Sequence, residues 1–167
     1  MTKKRRVFEE GHRRKYLVIV DETDEVEAAL YFSALRVAHT SGSVLLLYVI
    51  EPQEYQHWVG VRQVQLEEET TKAKALFRMF RRKLNTAGFE TVPTEEVVRE
   101  GKKADTILSM IDEDEDIAVL TLGAATDTQG PGPLVASLAA GTTAGSFPIP
   151  ITIVPGNLTL EDLQALA

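Results

Sequence analysis

The sequence contains no cysteine. Disulfides, thiolate nucleophiles and cysteine-ligated metals are excluded together, and the lack fits a reducing compartment, so a cytoplasmic protein is expected. Histidine is nearly as scarce. His12, His39 and His57 are too dispersed to form a metal motif, and no HExxH pair is present. No stretch approaches the roughly twenty apolar residues of a membrane span. The start, Met1 to Lys15, carries Lys3, Lys4, Arg5, Arg6, Arg13, Arg14 and Lys15 but no apolar run, so it is not a secretory signal. It reads as a solvated basic tail, and the net charge of -7 argues against nucleic acid as its partner.

Positive charge is missing from a whole region. From Ala104 to the end there is no lysine or arginine, against nine acids: Asp105, Asp112, Glu113, Asp114, Glu115, Asp116, Asp127, Glu161 and Asp162. The run Asp112 to Asp116 lacks the spacing and glycine of a calcium loop and reads as the end of a solvated helix. Catalytic patterns are absent as well. Ser137 and Ser146 have no Gly-x-Ser-x-Gly elbow, so no catalytic residue and no metal ligand is nominated.

What is present is a series of short apolar runs separated by helical patterns. Tyr16–Val20 ends in Asp21 and reads as a strand buried on both faces, as do Val44–Ile50 and Ile117–Leu122. Glu95–Val98 is short and flanked by charge, the signature of an edge strand, and Ile151–Val154 closes the series. Between them, Thr23 is placed to cap a helix running to about His39, where a cation complements the helix dipole. A long helix is expected from about Arg62 to Ala87, a third after Gly101, and a short one of small residues from about Leu134 to Ala144. Pro52 to Gly60, with Tyr55, His57 and Trp58, is a loop on the same side as the strand ends; Trp58 either packs the loop down or covers a ligand.

At 167 residues this is one domain, with residues 16–156 as its body, 1–15 as a basic tail and 157–167 as a tail or short helix capped by Thr159. Strands alternating with helices predict an α/β fold: a doubly wound, five-stranded parallel sheet of order 3-2-1-4-5 with helices on both faces. Ligands of such sheets bind at the carboxyl ends of the strands where the winding reverses. Asp21 and Gly123 fall on that rim.

The strand ending in Asp21, the strand ending in Tyr48-Val49-Ile50, Gly101 ahead of the third helix, and Leu122-Gly123 together resemble the universal stress protein family, over nearly everything from Tyr16 to Val154. The resemblance implies a Rossmann-like regulatory or protective domain in the stress response that binds ATP or a related adenine nucleotide. Nucleotide-binding members carry Gly, two residues, Gly, nine residues, then Gly-Ser or Gly-Thr. Here the same spacing reads Gly123, Thr126, Ala136-Ser137. Carried over by position, the implied site is Ile19, Asp21, Val49, Leu122, Gly123, Thr126, Gly130, Gly132, Ala136, Ser137 and Leu138, with no catalysis beyond slow ATP hydrolysis.

The departures have physical consequences. Glycine lets a backbone approach phosphate oxygens, and the amides of the following helix attract the anion. Thr126 and Ala136 replace two of those glycines, while Gly130 and Gly132 alternate with Pro131 and Pro133, which carry no amide hydrogen. Bound Mg²⁺ would compensate for missing cations, and Lys102 and Lys103 after the third strand or Arg62 after the second are basic residues from elsewhere that could contribute. The alternative is an interaction module of the same fold whose pocket the proline-rich loop closes. The family resemblance also implies a homodimer through Ile151, Thr152, Ile153 and Val154, and the tail after Gly156 is expected to form a short amphipathic helix over that interface. A receiver domain is disfavoured, because Val97-Val98 is followed by Arg99 rather than an acceptor aspartate and Val154 by Pro155 rather than lysine.

Overall fold

The computed structural model describes residues 2–52 and 59–167. Tyr55, His57 and Trp58 lie outside the described residues. Five strands form one parallel sheet in the order β3-β2-β1-β4-β5: β1 Lys15–Ile19, β2 Ser43–Ile50, β3 Thr94–Glu100, β4 Ile117–Ala124 and β5 Ile151–Pro155. The expected fold is the observed one. Every residue of β2 is buried, as its continuous apolar run requires. Leu17 pairs in register with Leu45 on one side and Leu120 on the other, so β1 is the centre of the sheet.

Two cores sit on the two faces. One packs α1 (Val26–His39) and α2 (Val59–Thr86) over Tyr16, Val18, Val44 and Leu46. The other packs α3 (Lys103–Glu113) and the segment around Val135 over Leu17, Leu45, Leu47 and Leu120. Alternation along each strand delivers the two sets. A buried polar pair, the Ser33 hydroxyl donating to Thr121 Oγ1 at 3.0 Å, pins α1 to β4 two residues before Gly123.

Several expectations are corrected. Thr23 does not cap α1. Its amide, at 2.8 Å, and its hydroxyl both donate to Asp21 Oδ1, so the aspartate two residues earlier takes the cap for its own turn; α1 begins after Glu25 without a side-chain cap. The short helix from Leu134 to Ala144 is instead a π-helical turn, Val135–Ala139, closed by the Ala140 amide on the Val135 carbonyl at 3.2 Å, and a separate 3-10 turn, Ala144–Ser146. A Cβ at Gly141 would strike the Ser137 carbonyl, so the chain turns away there.

The basic segment ahead of β1 is not a free solvated tail. Arg5 Nη1 donates to the carbonyls of Ile111, Asp114 and Ile117 at 2.8, 2.9 and 3.1 Å, capping the negative end of α3. His12 Nδ1 lies 2.7 Å from Asp116 and Lys15 Nζ 2.7 Å from Asp114. The acidic run Asp114 to Asp116 therefore holds the N-terminal segment in place. At the other end, α4 (Leu160–Leu166) forms behind the expected Thr159 cap, with Asp162 reciprocating in a capping box. It packs against α1, where Arg36 donates to the Ala167 backbone oxygen at 2.8 Å.

Candidate functional site

The rim is shaped by a close approach between α1 and the strand ends. A Cβ on Gly123 would lie inside contact distance of the Glu25 backbone carbonyl, and one on Gly156 would meet the Ala124 carbonyl at 2.6 Å and Glu25 Cβ at 3.0 Å. Glu25 is held between the two glycines that end β4 and follow β5. The glycine retained from the family pattern thus serves the packing of α1 on β4, a role its position in sequence does not reveal.

Two adjoining clefts open around this contact. The inner one, about 140 Å³, is bounded by Ile19, Asp21, Leu122, Gly123, Val135 and Lys103. The outer one, about 850 Å³ and open to solvent, is bounded by Glu22, Asp24, Glu25, Thr126, Asp127, Gly130 and Ala136. Thr23, Glu25 and the turn Pro131-Gly132-Pro133 border both. Ile19, Asp21, Leu122, Gly123, Thr126, Gly130, Gly132 and Ala136 are therefore brought together. Val49, Ser137 and Leu138 are not: Val49 and Leu138 are buried in the core, and Ser137 is exposed with its hydroxyl turned to the Leu134 carbonyl at 3.5 Å.

Charge separates the clefts. The outer lining carries four carboxylates, Glu22, Asp24, Glu25 and Asp127, and no lysine or arginine. The inner cleft holds one cation, Lys103, whose ammonium is 3.9 Å from Glu51. Arg62 is engaged elsewhere, paired with Glu100 at 2.9 Å. Beside the rim, Lys72 bridges Glu22 and Glu69 at 2.9 and 3.3 Å, and Tyr48 donates to Glu69 at 2.5 Å. Burial, then that bond, push the Tyr48 phenol well above its ordinary pKa, so it stays a proton donor.

Several backbone donors in the loop are engaged. The amides of Ala125, Gly130 and Ala136 donate to the carbonyls of Pro131, Asp127 and Gly132 at 3.0, 3.2 and 3.1 Å, and that of Gln129 to the Asp127 carboxylate at 2.9 Å. Gly130 and Gly132 supply the positive φ values, +123° and +102°, that this path demands. Phosphate sites combine free amides with cations, and the outer cleft's lining carries no lysine or arginine. Among the described residues no cluster of three metal-ligating side chains occurs, and no helix is long and apolar enough to cross a membrane.

Glu25 and Lys103 are the site residues that family spacing does not nominate. Glu25 could be found only through its acidic neighbours at the start of α1, and Lys103 only through its place after β3.

No curated protein matches the sequence. Among solved structures, the universal stress protein UspA from Lactobacillus plantarum superposes with a TM-score of 0.64 at 20% identity, covering 85% of this chain and 97% of its own. The universal stress protein from Archaeoglobus fulgidus in complex with dAMP gives 0.57 at 15% identity, covering 86% and 98%. A universal stress protein in complex with cAMP gives 0.51 at 18%, covering 87% and 98%. These likenesses establish a shared fold. The sequence profile of the universal stress protein family matches residues 12–155, and the chain accordingly belongs to the universal stress protein family.

Proposed function

We propose that this chain is a regulatory universal stress protein domain that works through contacts with other proteins, its rim closed to a nucleoside triphosphate in the arrangement seen. One observation carries the reading: the outer cleft, where a phosphate chain leaving Gly123 would run, is lined by four carboxylates, of which only Glu22 has a cation partner, Lys72, among the described residues. At physiological salt the Debye length is about 8 Å, so these carboxylates act on one another and on any anion entering between them. The proposal extends to a homodimer through β5. That strand pairs only with β4, leaving one edge of backbone groups, and Ile153 is 43% exposed.

A second reading is favoured by the two fold relatives solved with dAMP and cAMP. In it an adenine nucleotide enters the inner cleft beside Asp21 and Leu122, Lys103 meets its phosphate, and Mg²⁺ offsets the outer carboxylates. Ser137 and Val49 would join only after the Pro131-Gly132-Pro133 turn lifts. The two readings part in one experiment. Freshly purified protein is denatured and screened for released nucleotide by mass spectrometry, and the stripped protein is melted against Mg-ATP. Binding at 100 times Kd stabilises by about 2.7 kcal/mol, roughly 5–10 °C for a domain of this size. Released nucleotide, or a shift of that order, overturns the closed-rim reading; no nucleotide and no shift at millimolar Mg-ATP supports it and removes the second.

A further inference from the structure

The twelve residues Lys72 to Lys83 contain six lysines and arginines and no acid. Three are neutralised within the fold: Lys72 by Glu22 and Glu69, Arg81 by Glu96, and Lys83 by Glu27. The other three, Lys74, Arg78 and Arg82, are exposed, and among the described residues none forms an ion pair. Their spacing of four places them along one outward stripe of α2, roughly 12 Å long at 1.5 Å per residue. Beside it lies Met79, 40% exposed, whereas Phe77, Phe80 and Leu84 of the same helix are buried.

The opposite side of the sheet carries the complement. On α3 the buried face is Thr106, Ile107, Met110 and Ile111, which leaves Asp105, Leu108 and Asp112 pointing outward. The two aspartates are exposed and unpaired among the described residues, and Leu108 is 39% exposed. They lie about two turns apart, roughly 10 Å. One helix thus shows cations around an exposed methionine, and the other shows carboxylates around an exposed leucine at matching spacing.

From this pairing we infer that the outer face of α2 docks onto the outer face of α3 of a second copy of this chain. Like net charges repel most mutual orientations of two copies, since each carries -7. This orientation sets uncompensated cations against uncompensated acids and covers both apolar side chains. Because α2 and α3 lie on opposite faces of one sheet, the contact is heterologous. It adds copies head to tail, as an open chain or a closed ring according to the rotation between them, unlike pairing through β5, which is isologous. Two short helix faces fall below a standard interface, so the contact is weak, concentration-dependent and salt-sensitive.

A charge swap tests it. K74E/R78E/R82E makes both faces acidic, and D105K/D112K makes both basic; all five side chains are exposed, so circular dichroism and melting should match the parent. Sedimentation of the full chain at low salt should show concentration-dependent species beyond a β5 pair. Each variant alone should lose them, with association weakened at least about tenfold. An equimolar mixture should recover them, because each face then meets its opposite. No higher species in the parent, unchanged association in either variant, or a mixture no heavier than its components would overturn the inference. Association that survives both charge variants but disappears in Ile153→Lys would assign it to the β5 edge and overturn it equally.

Discussion

The two ends of β4 are both acidic, and they use their acids oppositely. At the start of the strand, Asp114 and Asp116 are bound by Lys15 and His12 at 2.7 Å each, and Arg5 caps the carbonyls beside them. At the far end, Asp24, Glu25 and Asp127 face the outer cleft and form no ion pair among the described residues. Carboxylates that are paired and half-buried hold elements together. Carboxylates left unpaired around a cleft contribute little to stability and instead select what can enter. The composition of the last third of the chain does not distinguish these cases, because the groups that bind Asp114, Glu115 and Asp116 come from the first fifteen residues.

The largest effect is expected where the rim is most tightly packed. Gly123→Ala drives a methyl group into the Glu25 carbonyl and is expected to cost about 3 kcal/mol, the upper end of overpacking penalties. Urea denaturation measures it. A loss below about 0.5 kcal/mol would show that α1 can withdraw from β4, and that the inner cleft can widen. At the opposite end of the strand, Arg5→Ala removes one guanidinium from three backbone carbonyls and is expected to cost about 2 kcal/mol in the same assay. Were it neutral, the N-terminal segment would not be part of the folded unit.

Lys15 refines the picture through pH. Burial works against its charge, but hydrogen bonds to Asp114 and Glu95 outweigh burial, and its pKa lies above the ordinary lysine value. A raised folded pKa contributes stability that is fully present below about 10.4 and is lost as pH rises through the folded value. Lys15→Met should therefore flatten the decline of melting temperature above about pH 10.5 while leaving its slope near neutrality unchanged. The smallest effect belongs to the unpaired rim. Asp24→Asn with Asp127→Asn keeps the Asp127 turn acceptor and should change stability by less than about 0.5 kcal/mol. A larger loss would mean that these carboxylates, too, are structural.

Much of the fold could be read directly from the chain. Continuous apolar runs at Val44–Ile50 and Ile117–Leu122, bounded by turn residues and short, read as interior strands, and strand-helix alternation with right-handed crossovers leaves the 3-2-1-4-5 order as the natural solution. The Thr159 cap was legible for the same reason, because its partner Asp162 lies three residues away. Thr23 misled because Asp21, only two residues off, competes for the same hydroxyl. Local patterns are reliable where one local solution exists, and they fail where two compete.

The candidate site was legible in place but not in character. That Gly123 would end β4 on the rim beside Asp21 follows from periodicity and topology. What presses against Gly123 does not: Glu25 lies 98 positions earlier in the chain, and only the Ser33–Thr121 bond and the packing of α1 bring it there. The same holds for the basic N-terminal segment, whose partners at 111–117 are remote in sequence. Amino-acid order by itself determined the strands, their sequence of winding and the rim. Which glycine serves packing, which acids are neutralised and which remain open was decided by tertiary structure, because each depends on a partner that only the folded chain brings within a few ångströms.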